Sequence, residues 1–223
     1  MNLRTILRRA AGLALIAALG AGLAGCGVNA IPTKEEAAKA RWADVQNDYQ
    51  RRADLVPNLV ATVKGYAAQE RNVLDEVTFA RASATQTRID ASQLTNQAAL
   101  DKYAHAQDTL GSALNHLMVA NERYPELKSN TNFLELQSQL EGTENRIAIA
   151  RRDYNAAVQD YNTTLRVFPT SIWASTLYSS SKPMALFSAS ASAQSAPTVS
   201  FDTTPPAVAG SAPGSPPPSA AKP

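Results

Sequence analysis

The sequence predicts an all-α protein, a bundle of four helices set between an N-terminal export segment and a mostly disordered C-terminal tail. Three observations carry this prediction. From Lys34 to Phe168 the apolar residues return at helical spacing, and strand-like alternation is absent. The breaks between these runs fall at Pro, Asn and Thr/Ser clusters, which stop or cap helices. Composition also shifts at both ends, to almost purely apolar over residues 10–25 and to Ser, Ala and Pro over residues 179–223.

The first segment, residues 1–25, has the layout of a signal peptide. Arg4, Arg8 and Arg9 precede an Ala/Leu/Gly run, which closes on Leu23-Ala24-Gly25-Cys26. The run is shorter than the roughly 20 apolar residues of a spanning helix. Leu-Ala-Gly-Cys resembles the bacterial lipobox, in which the thiol takes a diacylglycerol and the cysteine becomes the mature N-terminus. Cys26 is therefore the expected site of lipid attachment, and palmitate the expected modification. Gly27 follows it, where an Asp would signal retention at the inner membrane. The expected address is the periplasmic side of the envelope, with the outer membrane favoured over the inner. Residues 26–33 form a short tether.

The bundle is expected over residues 34–178. Its first seam begins with Trp42, Val45 and Tyr49, and another joins Val56, Leu59, Val63 and Tyr66 to Val73 and Val77. Pro57 admits two readings: a first-turn proline in a new helix capped by Asp54, or a kink in a continuous one. A single helix over residues 34–84, at about 1.5 Å per residue, overshoots partners of roughly 30 to 40 residues. Length thus favours a break at Pro57. Residues 85–95, rich in Thr, Ser and Asp, form a loop. The next seam is Tyr103, Leu110, Leu117 and Tyr124, ended by Pro125. Ser129-Asn130-Thr131-Asn132 then caps the last helix. There Phe133, Leu140, Ile147, Tyr154, Tyr161 and Phe168 recur every seven residues, with Leu136, Ala150 and Ala157 between them. The pattern stops at Phe168-Pro169, and Ile172, Trp173, Leu177 and Tyr178 are left to cover the bundle end. Residues 179–223 read as tail, in which Ala196 to Asp202 is compatible with a short extended piece.

Charge and cysteine content exclude several functions. Losing the three leader arginines leaves 18 basic residues against 19 acidic, a net of −1 in place of +2. Such a balance offers no general attraction to nucleic acid. A lone cysteine excludes an intramolecular disulfide and a Cys-rich metal site. His105 and His116 lie eleven residues apart, about 16 Å along a helix axis, and cannot share a metal. Glu141, Glu144 and Asp153 lack the Glu-x-x-His element of di-metal bundles. No phosphate loop, dinucleotide fingerprint or nucleophile elbow is present. Accordingly, no catalytic residue, cofactor, metal or small-molecule substrate is expected. The remaining polar candidates are Arg51, Arg52 and Asp54 beside Pro57, and Asn145, Arg151, Arg152, Asn155 and Asn162 along the last helix. They read first as a network fixing helix register and second as a groove for a partner.

Several ordered blocks resemble the LemA family. They are Arg51-Arg52-Ala53-Asp54-Leu55-Val56-Pro57-Asn58-Leu59-Val60, Val63-Lys64-Gly65-Tyr66, and Glu122-Arg123-Tyr124-Pro125-Glu126-Leu127-Lys128. They continue through Glu144-Asn145-Arg146-Ile147-Ala148-Ile149-Ala150-Arg151-Arg152-Asp153-Tyr154-Asn155 and Asp160-Tyr161-Asn162 to Val167-Phe168-Pro169. The resemblance implies an antiparallel four-helix up-and-down bundle displayed outside the cytoplasm from a membrane anchor, and no enzyme activity. It associates such proteins with neighbouring membrane zinc proteases and, in one branch, with magnetosome membrane formation. The expected function is a non-enzymatic, lipid-anchored interaction or scaffolding module with a protein partner. The alternative is an accessory or substrate-presenting factor for a membrane zinc protease. Many family members carry a plain transmembrane helix where this chain has its lipobox.

Overall fold

The computed structural model describes residues 27–66, 70–121 and 123–188. The signal segment, Cys26 and everything from residue 189, including Ala196 to Asp202, lie outside the described residues. Within them the chain is helical and holds no strand. Four long helices, α1 (Ala30–Tyr66), α2 (Arg71–Gln86), α3 (Gln97–Asn121) and α5 (Thr131–Thr164), are joined by short connections. A 3-10 turn (Ala91–Gln93) lies between α2 and α3, and a single turn, α4 (Pro125–Lys128), between α3 and α5. A short α6 (Thr170–Thr176) follows.

The long helices alternate in direction. On α1 and α5, Lys34 meets Asp160 at 3.1 Å, Asp48 meets Arg146 at 3.8 Å and Arg52 meets Glu144 at 2.6 Å, so rising positions on one face falling positions on the other. Arg81 Nε of α2 donates to the Ala53 carbonyl of α1 at 2.8 Å, and Gln46 Nε2 donates to the Ile89 carbonyl at 3.1 Å, again antiparallel. Gln107 of α3 donates to the Ala84 carbonyl of α2 at 3.2 Å. The result is the expected up-and-down bundle. Asn130 caps α5 as its sequence predicts, its Oδ1 accepting from Phe133 N at 3.0 Å, an arrangement that stabilises a helix by about 1 kcal/mol.

Pro57 does not break the chain into two helices, since α1 runs through it to Tyr66. Trp42, Val45, Tyr49, Arg52, Val56, Leu59 and Val63 form one buried seam with steps of three and four. The length limit is met by a different break: α1 ends at Tyr66 and α2 starts at Arg71, so at 37 residues α1 already matches the 34 of α5 without a break at Pro57. Proline lacks the N–H that would close the bond to the carbonyl four residues back. That carbonyl belongs to Ala53, and Arg81 takes it. The lost helical bond is replaced from a neighbouring helix.

The core has two apolar halves. One joins Val56, Leu59 and Val63 to Leu74, Val77, Leu110, Leu117, Phe133 and Leu140. The other joins Ile31, Trp42, Tyr49, Leu100, Tyr103, Ile147, Tyr154 and Tyr161 to Ile89 and Leu94 of the α2–α3 connection. This second half includes no residue of α2. Its fourth side is completed by Met184, Ala185 and Phe187, which are buried. The compact unit therefore extends to Ser188, past the boundary at Tyr178 expected from composition. Phe168, the last member of the seven-residue series, is 81% exposed because α5 ends at Thr164. Trp173 and Tyr178 do pack against the second half, whereas Ile172 and Leu177 stay exposed.

Candidate functional site: a main-chain ladder on the last long helix

The polar residues singled out in the sequence divide between two places. Arg52, on the core seam of α1 and 3% exposed, lies where the two apolar halves meet. Its Nη1 donates to Glu144 Oε1 at 2.6 Å, and its Nη2 donates to the Gln107 carbonyl at 2.8 Å and to Gln107 Oε1 at 3.0 Å. The guanidinium also lies 5.0 Å from the centre of the Tyr49 ring. Gln107 occupies the core position of α3 between Tyr103 and Leu110, and buried Thr143 the corresponding one of α5 between Leu140 and Ile147. One polar layer thus crosses the bundle, with Arg52 Nε left without a partner. Arg51, Asp54 and Asn145 are exposed. Asp54 accepts from Gln50 on its own helix, at 2.7 Å.

Arg151 and Asn155 belong to the second place, where residues 182–188 lie extended along α5. Asn155 pairs with both main-chain groups of Phe187: its Nδ2 donates to the carbonyl at 3.0 Å and its Oδ1 accepts from the N–H at 2.9 Å. One repeat further along, Asn162 does the same with Met184, both bonds being 2.9 Å. The preceding tyrosines extend the pattern. Tyr154 donates to the Ala185 carbonyl at 3.0 Å, and Tyr161 to that of Lys182 at 3.2 Å. The periods agree for a physical reason. Seven helical residues rise about 10.5 Å, and three extended residues about 10 Å. The repeated Asp-Tyr-Asn at 153–155 and 160–162 is therefore a ruler for an extended backbone.

Other elements complete the seat. Ala185 N donates to the Leu94 carbonyl at 2.7 Å, and Gln97 Nε2 donates to the Leu186 carbonyl at 3.1 Å. Phe187 stacks on Trp42 at 5.9 Å and meets Tyr154 edge-on at 5.6 Å, with the Arg151 guanidinium 4.7 Å from its centre. Burial pushes the Tyr154 hydroxyl above its ordinary pKa, and that of Tyr161 as well. Both are kept as donors. Beside the start of the extended segment is a cavity of about 540 Å³ lined by Glu35, Lys39, Tyr161 and Lys182 among others. Hydrogen bonds from Lys39 to Glu36 and Glu35 raise the lysine pKa.

The candidates for metal chemistry are dispersed. His105 is exposed, and His116 Nδ1 lies 3.2 Å from Glu76 Oε1. Glu141 accepts from Gln137 at 3.0 Å, and Glu144 serves Arg52. Among the described residues no three His, Cys, Asp or Glu side chains gather as a metal site, and no helix is long and apolar enough to cross a membrane. The element missed in the sequence is the occupant of the ladder, Met184 to Phe187. The exact repeat of Asp-Tyr-Asn was its only local signal.

An all-α bundle whose last long helix holds an extended stretch by its main chain is the class that this architecture defines. The LemA family profile matches residues 41–201, and the chain belongs to the LemA family. It is similar to the magnetosome proteins MamQ 2 and MamQ 1 of Paramagnetospirillum magneticum (strain ATCC 700264 / AMB-1), at 27% identity over 157 residues. A magnetosome protein MamQ of Magnetospirillum gryphiswaldense (strain DSM 6361 / JCM 21280 / NBRC 15271 / MSR-1) is equally similar, at 27% over 157 residues. The matches cover 63% of this chain and 58% of each relative's length.

Proposed function

We propose that the protein is a non-enzymatic interaction module of the cell envelope, tethered by a lipid on Cys26 at the periplasmic face, with the outer membrane as its preferred address. Its binding element is the Tyr154-Asn155 and Tyr161-Asn162 ladder, which takes an extended polypeptide by its main chain. The carrying observation is the pair of hydrogen bonds, one donated and one accepted, that each asparagine makes to a single residue of the bound segment. In the closed state the protein's own residues 182–188 fill the seat. A protein partner supplies an extended segment with bulky apolar residues three apart and a small one after the first, the pattern of Met184, Ala185 and Phe187. Affinity then comes from main-chain bonds and selectivity from pockets, as in strand addition to a sheet edge. The accessory-factor alternative draws on the same feature, since a seat for extended chain can present a protease substrate.

The test uses the full chain carrying Phe187→Asp, which frees the seat, and a labelled peptide with the sequence of residues 181–188. Saturable binding that disappears when Asn155→Asp is added supports the ladder. Equal binding with and without Asn155→Asp, or none at all, refutes it. The tether is tested separately: radioactive palmitate should label the wild type and not Cys26→Ser.

A further inference from the structure

The exposed apolar residues are unevenly placed. Four of the ten large ones among the described residues, Val167, Phe168, Ile172 and Leu177, fall between the end of α5 and the residue that follows α6. They are 46%, 81%, 48% and 62% exposed. The other six lie elsewhere: Tyr66 ends α1, Phe79 is on α2, Val119 on α3, Leu134 and Ile149 are far apart on α5, and Leu186 is in the extended segment. Isolated apolar residues are normal on a surface, whereas a cluster marks something that covers it.

Two further observations say what covers this one. Gly27 packs directly on the same turn: the position of a Cβ there has Thr170 Cγ2 at 3.4 Å, Trp173 Nε1 at 3.7 Å and Pro169 Cγ at 3.8 Å. One peptide link, about 3.8 Å between Cα atoms, separates Gly27 from Cys26. A lipid carried on Cys26 would enter the bilayer within one residue of Gly27, and so of this turn. The charge is also suitable. Residues 161–188 contain no Asp or Glu, and their charged residues are Arg166 and Lys182, both exposed, while the carboxylates on the adjoining helix ends are matched by lysines, Asp160 by Lys34 at 3.1 Å and Glu35 and Glu36 by Lys39 at 2.9 and 2.7 Å. Carboxylates would be repelled by anionic headgroups, while Arg and Lys reach toward phosphates as their stems lie along apolar surface.

We propose that Val167, Phe168, Ile172 and Leu177 form a membrane-contacting tip, which inserts to the depth of the headgroup and acyl boundary beside the Cys26 lipid. The tip fixes how the bundle stands on the membrane. The α1 start and the α5 end face the lipid, and the opposite end, with Tyr66 and Asn130 bonded at 2.8 Å, points away. This inference rests on the lipid-anchor reading, and one experiment separates the two.

The full chain carrying Ile172→Trp and Trp173→Phe is purified from membranes, and the mass of its mature N-terminus is measured. It is then reconstituted in vesicles of phosphatidylethanolamine and phosphatidylglycerol with brominated acyl chains. Trp42, buried in the core, supplies an unquenched reference. Roughly half the emission, the share of the tip tryptophan, should be lost to shallow bromines. Adding Phe168→Glu and Leu177→Glu should restore the emission while acylated protein still floats with the vesicles. An acylated protein that floats unquenched overturns the tip and leaves the anchor standing. The same applies if residue 172 instead cross-links between two copies. A mature N-terminus without acyl groups overturns the anchor, and quenching then decides the tip alone.

Discussion

Pro57 and Arg81 show how a single residue's defect is compensated from another helix. The Ala53 residue is buried, and its carbonyl loses the helical donor that position 57 would otherwise provide. Arg81 supplies the replacement at 2.8 Å. Arg81→Met should therefore cost about 1 to 2 kcal/mol, the penalty of an unmade buried bond. In a Pro57→Ala background the helix satisfies Ala53 itself, and the same substitution should cost about 1 kcal/mol less. Urea unfolding of the four proteins measures this coupling, and additive costs would contradict it. Arg52 presents a different balance. Glu144, its ionic partner, is half exposed, so removing Arg52 strands no buried charge. Arg52→Met should cost about 1 to 2 kcal/mol through Gln107 alone, below the penalty of breaking a fully buried pair. A loss of 4 kcal/mol or more by chemical denaturation would refute that reading.

At the scale of elements, the segment 182–188 takes the place that α2 leaves empty. Its hold is local, so it can be tested without disturbing the rest. Asn155→Asp removes the donor to the Phe187 carbonyl and sets a carboxylate against it. Amide exchange at residues 184–187 should accelerate at least tenfold, while α2 amides stay unchanged. Parallel acceleration in α2 would show that the segment is inseparable from the bundle. These elements also mark how far the sequence could be read. The seams of α3 and α5, the Asn130 cap and the polar character of Arg52 were legible because each depends on spacing or on a local preference. The course of α1 was not, since tolerance of Pro57 depends on Arg81, which is remote in sequence. The segment 182–188 was hidden for a related reason. Its hydrogen bonds are made by side chains of α5, so its own composition shows only Ser, Lys, Pro and a few apolar residues.

For the molecule as a whole, the polar layer at Arg52 and Gln107 separates two halves that differ in what they bury. Tyr49, Tyr103, Tyr154 and Tyr161 all belong to the half next to Gly27. Burial raises the pKa of each, and for Tyr49 this outweighs the opposing pull of Arg151 and Arg52. The sign of the consequence follows from proton counting. Above about pH 10 the unfolded chain loses phenolic protons that the folded chain retains. Unfolding then releases protons, and stability falls as pH rises. The stabilising effect is complete below about pH 10 and disappears as pH climbs through the raised folded values. Tyr154 and Tyr161 also need their protons to donate to Ala185 and Lys182. Alkali should therefore open the half next to Gly27 first. Phenolate absorbance should rise together with exchange at the 184–187 amides, while α2 and the adjoining part of α3 remain protected to higher pH. Simultaneous loss in both halves would mean that the polar layer couples them into one cooperative unit.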